Sequence, residues 1–103
     1  MWEGVKEMKT RKEIEETLKR YKPFLREKFK VKEIGIFGSY VRGEESEKSD
    51  VDILVEFYAP IGWEFIDLKE FLEEILGREV DLVTVGALKP QLRDKILKEV
   101  VYA

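Results

Sequence analysis

The apolar positions Ile14, Leu18, Tyr21 and Leu25 are spaced by four, three and four residues, which places them on one face of a helix. Thr10 followed by Glu13 forms a capping-box pattern, so this helix is predicted to begin there, and Pro23 is expected to kink or interrupt it near its end. Val31–Phe37 (VKEIGIF) reads as a strand that stops at Gly38-Ser39. Val51–Phe57 (VDILVEF) reads as a second strand, followed by a loop at Pro60-Ile61-Gly62. Phe65, Leu68, Phe71, Leu72, Ile75 and Leu76 then mark a second amphipathic helix, with Gly77 where a C-terminal cap belongs. Glu79–Val85 (EVDLVTV) makes a third strand. Leu88, Leu92, Ile96 and Val100 recur every fourth residue, with Pro90 suited to the first turn of a closing helix. The predicted order is α-β-β-α-β-α. This is an α/β (α+β) domain in which a small three-stranded mixed sheet packs against helices. Residues 1–9 read as a flexible extension and 10–103 as a single domain.

Composition narrows the chemistry. The 103 residues contain neither cysteine nor histidine, which removes disulfides, thiolate and imidazole metal sites, thiol catalysis and Ser-His-Asp triads. The net charge of −3 and the lack of a basic stripe interleaved with aromatics argue against direct nucleic-acid binding. No apolar run is long enough to span a membrane and no signal-peptide pattern opens the chain, so a cytoplasmic location is expected. Asparagine is absent and Gln91 is the sole glutamine, amid abundant Lys and Glu, a composition that resembles proteins of thermophiles.

Three features remain that carry chemistry without histidine. Gly38-Ser39 follows the first strand and leads into Tyr40-Val41-Arg42-Gly43. Ser49-Asp50-Val51-Asp52 opens the second strand, and Asp81 sits inside the third between Val80 and Leu82. Strand alternation puts Asp50 and Asp52 on one face, with Cα atoms roughly 6.5–7 Å apart. Two like charges there repel, and a divalent cation between them would offset the cost. If the third strand lies beside the second, Asp81 joins them, which is the layout of two-metal phosphoryl transfer. Gly38 lets backbone amides approach a phosphate closely, and Ser39 adds a hydroxyl donor. Taken alone, the acidic pair is an ordinary turn into a strand; it is the combination with Gly38-Ser39 and Asp81 that favours a catalytic site. Arg42 admits two readings, a phosphate contact or an ion pair with Glu44 or an aspartate. Ser49 reads as the cap of the turn into the second strand, and 44–48 as a solvated acidic loop. Trp63 and Phe65 suggest either a partner patch or core packing, and Tyr102 a packing or interfacial side chain.

The combination Gly38-Ser39, Arg42-Gly43, Ser49-Asp50-x-Asp52 and the downstream Asp81 resembles the minimal nucleotidyltransferases of the DNA polymerase β superfamily, over about Val31 to Ala103. It resembles most closely the nucleotidyltransferase antitoxins that accompany HEPN-domain toxins. The resemblance implies a polymerase-β-like palm, two Mg²⁺ ions held by Asp50, Asp52 and Asp81, and a nucleotide contacted by Gly38, Ser39 and Arg42. It also implies ATP as donor, a tyrosine hydroxyl of a HEPN toxin as acceptor, and silencing of that toxin by AMP addition. Two other readings stand beside it: an antitoxin that neutralises its partner by binding alone, and a nucleotidyltransferase for a small-molecule hydroxyl. The second would need an enclosing surface such as a homo-oligomer supplies.

Overall fold

The computed structural model describes residues 10–46 and 48–103; the predicted extension over 1–9 lies outside the described residues. The first helix, α1, spans Arg11–Phe29 and starts with the anticipated reciprocal cap. The Thr10 hydroxyl accepts from the Glu13 N–H while the Glu13 carboxylate accepts from the Thr10 N–H. Pro23 lies inside α1 and does not end it. The buried face carries Ile14 and Leu18 before the proline and Leu25 and Phe29 after it, so packing on both sides outweighs the one backbone bond the ring removes. The helix stops at Lys30, which takes a left-handed conformation with φ 57°.

Strand β1 (Val31–Phe37) is followed by a single turn of helix, α2 (Ser39–Arg42), then β2 (Val51–Phe57), α3 (Glu64–Leu76) and β3 (Val80–Thr84). After a 3₁₀ turn at Val85–Ala87 come α4 (Pro90–Glu99) and a short strand, β4 (Val101–Tyr102). The sheet therefore has four strands, in the order β3-β2-β1-β4, one more than the periodicity predicts. β1 is antiparallel to both β2 and β4, whereas β2 and β3 are parallel. A parallel pair needs a crossover, and α3 supplies it, ending at the expected Gly77 cap. The predicted closing helix is shorter than its four-residue repeat suggests. Val100 leaves the helix because Val101 and Tyr102 pair with Ile36 and Gly35, an extended role that suits β-branched and aromatic residues. Gly35 permits this return: a Cβ there would lie 2.7 Å from the Val101 carbonyl oxygen.

The main core cluster lies on one face of the sheet, while Leu54 of β2 is buried on the other. Ile14, Leu18 and Leu25 of α1 and Leu68, Leu72 and Leu76 of α3 pack on Ile34 and Ile36 of β1 and Val51, Ile53 and Val55 of β2. Val80 and Leu82 extend that face into β3. By alternation the even-numbered side chains of β2 and the odd-numbered ones of β3 point to the opposite face. No described helix is long and apolar enough to cross a membrane.

Candidate active site

That opposite face carries the acids. Parallel pairing sets Asp52 level with Asp81, on strands about 4.8 Å apart. Antiparallel pairing sets Asp52 opposite Phe37, the last residue of β1, so the Gly38-Ser39 turn leaves the sheet directly beside it. The core-facing neighbours Val51, Ile53, Val80 and Leu82 fix which way Asp52 and Asp81 point, because a one-residue slip would bury two carboxylates. Asp50 precedes β2 and is exposed. The loop that delivers it is pinned: the Ser49 hydroxyl accepts the Ser46 N–H at 2.9 Å, the cap expected of Ser49. The Arg78 guanidinium donates to the Ser46 and Ser49 carbonyls at 3.2 and 3.1 Å. Nothing in the spacing of the sequence singles out Arg78; only the closure of β3 against β2 brings it under that loop.

Burial pushes the Asp52 carboxyl up to about 6, and the charges of Asp81 and Asp50 and a hydrogen bond with Asp81 add to the effect. Arg42 opposes it, but its guanidinium is itself engaged by two glutamates. The Nε donates to Glu44 at 2.8 Å and an NH1 donor to Glu99 at 2.9 Å. Of the two readings of Arg42, the ion pair with Glu44 is present, and Glu99 is an added partner 57 residues away in sequence. Both contacts hold Arg42 more firmly protonated, Glu44 foremost.

Asp52 and Asp81 meet as expected, and Asp50 comes near enough to act on Asp52 through its charge. Among the described residues, however, no group of three acids is already arranged as a metal-binding set. The donor chemistry nonetheless fits a hard cation: all three candidates are carboxylates, they repel one another, and the repulsion is only partly neutralised.

Gly38 is the pivot of the turn. Its φ of 77° lies in the region that favours glycine, and a Cβ there would fall onto the Asp52 carboxylate. Its carbonyl accepts the N–H groups of Val41 and Arg42, both at 3.0 Å, which winds Ser39 and its hydroxyl into the α2 turn. Its own N–H donates to Glu99 at 2.8 Å. Away from this cluster, Phe65 packs edge-on to Phe57 with centroids 6.5 Å apart, while Trp63 is 83% exposed. Tyr102 is half-exposed on β4.

A parallel acid pair beside a glycine-serine turn, on the face of a mixed sheet opposite α1 and α3, defines a nucleotidyltransferase palm. The sequence model of the nucleotidyltransferase domain family matches residues 18–103, and the chain belongs to that family. A relative from Thermococcus cleftensis, the protein adenylyltransferase MntA, is 54% identical over 92% of this chain and 97% of its own length. A solved structure described as a minimal nucleotidyltransferase superposes with a TM-score of 0.70 at 34% identity, over 85% of this chain and 93% of that one. A crystal structure of a toxin–antitoxin with AMP-PNP has a TM-score of 0.68 at 26% identity, over 85% of this chain and 70% of that one. The minimal nucleotidyltransferase antitoxin class read from the sequence is thereby met, and the chain is a nucleotidyltransferase.

Proposed function

We propose that this nucleotidyltransferase moves AMP from ATP to a hydroxyl of a partner protein, a tyrosine of a HEPN-domain toxin, and so acts as its antitoxin. The observation that carries the reading is the level pairing of Asp52 with Asp81 beside a turn whose glycine has no room for a side chain against Asp52. The MntA relative is named a protein adenylyltransferase, and the solved toxin–antitoxin contains AMP-PNP; both agree with the donor and acceptor class proposed here.

In the reaction the acceptor oxygen attacks the α-phosphorus, the bond between that phosphorus and the bridging oxygen to the β-phosphate breaks, and pyrophosphate leaves. The acceptor proton passes to a carboxylate of the trio. Asp50, Asp52 and Asp81 would hold Mg²⁺, which when bound supplies charge neutralisation for the triphosphate and lowers the acceptor hydroxyl's pKa. The chain's own contribution is positioning and electrostatics. The Ser39 hydroxyl holds the terminal phosphates, Gly38 gives them clearance, and Arg42 supports the turn from behind. Asp52 sits where burial, and then the charges of Asp81 and Asp50, make its ionised form costly, a cost that a bound cation would offset. Asp52, partly buried, and Asp81, exposed, lie on the sheet face opposite α1 and α3, where a separate acceptor can reach them.

Mass spectrometry of a HEPN partner co-expressed with this chain tests the reading. A tyrosine carrying AMP is expected with the natural sequence and absent with Asp52→Asn. Full neutralisation of the toxin by Asp52→Asn with no modified residue would replace transfer by binding alone.

A further inference from the structure

Glu99 is the last residue of α4, where a carboxylate faces the negative end of the helix dipole. Its placement is nonetheless well determined. One oxygen accepts the Gly38 N–H at 2.8 Å and the other accepts the Arg42 guanidinium at 2.9 Å. The side chain is only 13% exposed; its bond from the Gly38 N–H is partly buried, while the Arg42 end of the ion pair reaches the surface, and both bonds are charge-assisted. Burial pushes the Glu99 carboxyl up, but the Gly38 amide and Arg42 more than reverse this and hold it below the usual carboxylate range.

Gly38 and Arg42 are the two ends of the same turn: Gly38 opens α2 and Arg42 closes it. One carboxylate therefore grips the turn at both ends from outside, while the bare Cα of Gly38 stands against Asp52 from inside. Glu99 is in turn anchored by the short strand β4 just after it. Val101 and Tyr102 pair with Ile36 and Gly35, which ties the end of α4 to the strand that leads into Gly38.

We infer that Glu99 is a positioning residue of the active site, fixing the Gly38–Arg42 turn, and with it the Ser39 hydroxyl, relative to Asp52. Its kinetic consequence rests on the nucleotidyl-transfer reading above; its geometry does not. In this arrangement the Gly38 N–H is committed to Glu99, and Arg42 acts through the turn rather than as a free charge. The C-terminal segment thus belongs to the catalytic architecture although it carries no catalytic residue.

The test uses the full chain with Glu99→Ala, Glu99→Gln, Arg42→Ala and the Glu99→Ala/Arg42→Ala pair. Two readouts are taken: KM for ATP in AMP transfer, and the amide resonance and hydrogen exchange of Gly38, which do not depend on activity. Losing charge-assisted bonds of this kind predicts a rise in KM for ATP of at least about tenfold in Glu99→Ala, with the Gly38 amide shifted and less protected. Glu99→Gln keeps an acceptor oxygen and is expected to recover part of the loss. The double variant is expected within about twofold of the weaker single variant, because the two residues act as one unit. Glu44→Ala, which removes only the exposed partner of Arg42, is expected to change KM by less than about twofold. An unchanged KM in Glu99→Ala overturns the inference, whether or not the Gly38 resonance moves. Should Glu99→Ala fail to fold, Glu99→Gln carries the same comparison. A natural sequence that transfers no AMP would refute the functional reading instead; the Gly38 resonance then decides the clamp, which an unperturbed amide in Glu99→Ala would overturn.

Discussion

Replacing Asp52 by asparagine should make the protein more stable at neutral pH and nearly inactive. In the fold its carboxyl is pushed up to about 6 from an ordinary 3.8, by burial first and then by Asp81 and Asp50. A raised carboxyl means that the folded state holds the proton more tightly than the unfolded chain does. Its contribution to stability is therefore fully present below pH 3.8 and lost as pH rises through about 6. The full gap corresponds to about 3 kcal/mol at about 1.4 kcal/mol per pH unit. Solvent screening at a half-buried carboxylate reduces that to about 1–2 kcal/mol. Asparagine keeps the shape and removes the charge, so Asp52→Asn should be more stable by that amount at pH 8. A gain of this size raises the melting temperature by roughly 5–15 °C for a domain of this length. At pH 3.5 the two proteins should melt together. Thermal or urea unfolding at both pH values, without divalent cations, measures the difference. A variant less stable than the natural sequence at pH 8, or an equal difference at both pH values, would refute the electrostatic argument.

Other consequences can be measured as directly. Mg²⁺ should raise the melting temperature of the natural sequence more at pH 8 than at pH 5, because protons compete for Asp52, and should do little for Asp52→Asn; equal shifts in both proteins would move the metal elsewhere. Gly38→Ala places a methyl group on the Asp52 carboxylate at a positive φ and should cost about 2 kcal/mol or more of stability and nearly all transfer, read by melting and by AMP incorporation. Lys30→Gly relieves the left-handed backbone at the end of α1 and should add about 0.5–1 kcal/mol in urea unfolding without touching activity. Tyr40→Phe removes a buried hydroxyl that has no partner among the described residues and should leave stability equal or higher by up to about 1 kcal/mol.

The sequence speaks most clearly where a signal is local. The Thr10–Glu13 cap, the apolar face through Ile14 and Leu18, the Gly77 stop and the alternation in β2 all rest on residues within a few positions of one another. Features that depend on what packs against what are harder to see. Pro23 predicts an interruption of α1, but buried contacts on either side carry the helix through. The four-residue turn α2 is too short to show a period, and the two-residue β4 directly follows an apparent helical repeat at Leu88, Leu92, Ile96 and Val100. That repeat misleads because α4 buries none of its own residues completely; Leu92 remains 46% exposed. At the site, the residue types Gly38, Ser39, Asp50, Asp52 and Asp81 stand out from spacing and chemistry. That Asp81 meets Asp52 depends on strand adjacency, and that Glu99 reaches Gly38 depends on the return of β4 beside β1. Neither relation leaves a trace in local spacing.

The central claim is transfer of AMP to protein, and ATP labelled on the α-phosphate tests it most directly. The purified chain would be incubated with this ATP, Mg²⁺ and a HEPN-domain partner, beside an Asp50→Ala/Asp52→Ala control and a parallel reaction with γ-labelled ATP. Nucleotidyl transfer predicts one partner band labelled from the α-phosphate alone, and none with the control or with the γ-label. Tight Mg²⁺-dependent ATP binding with no α-label in the partner would contradict it.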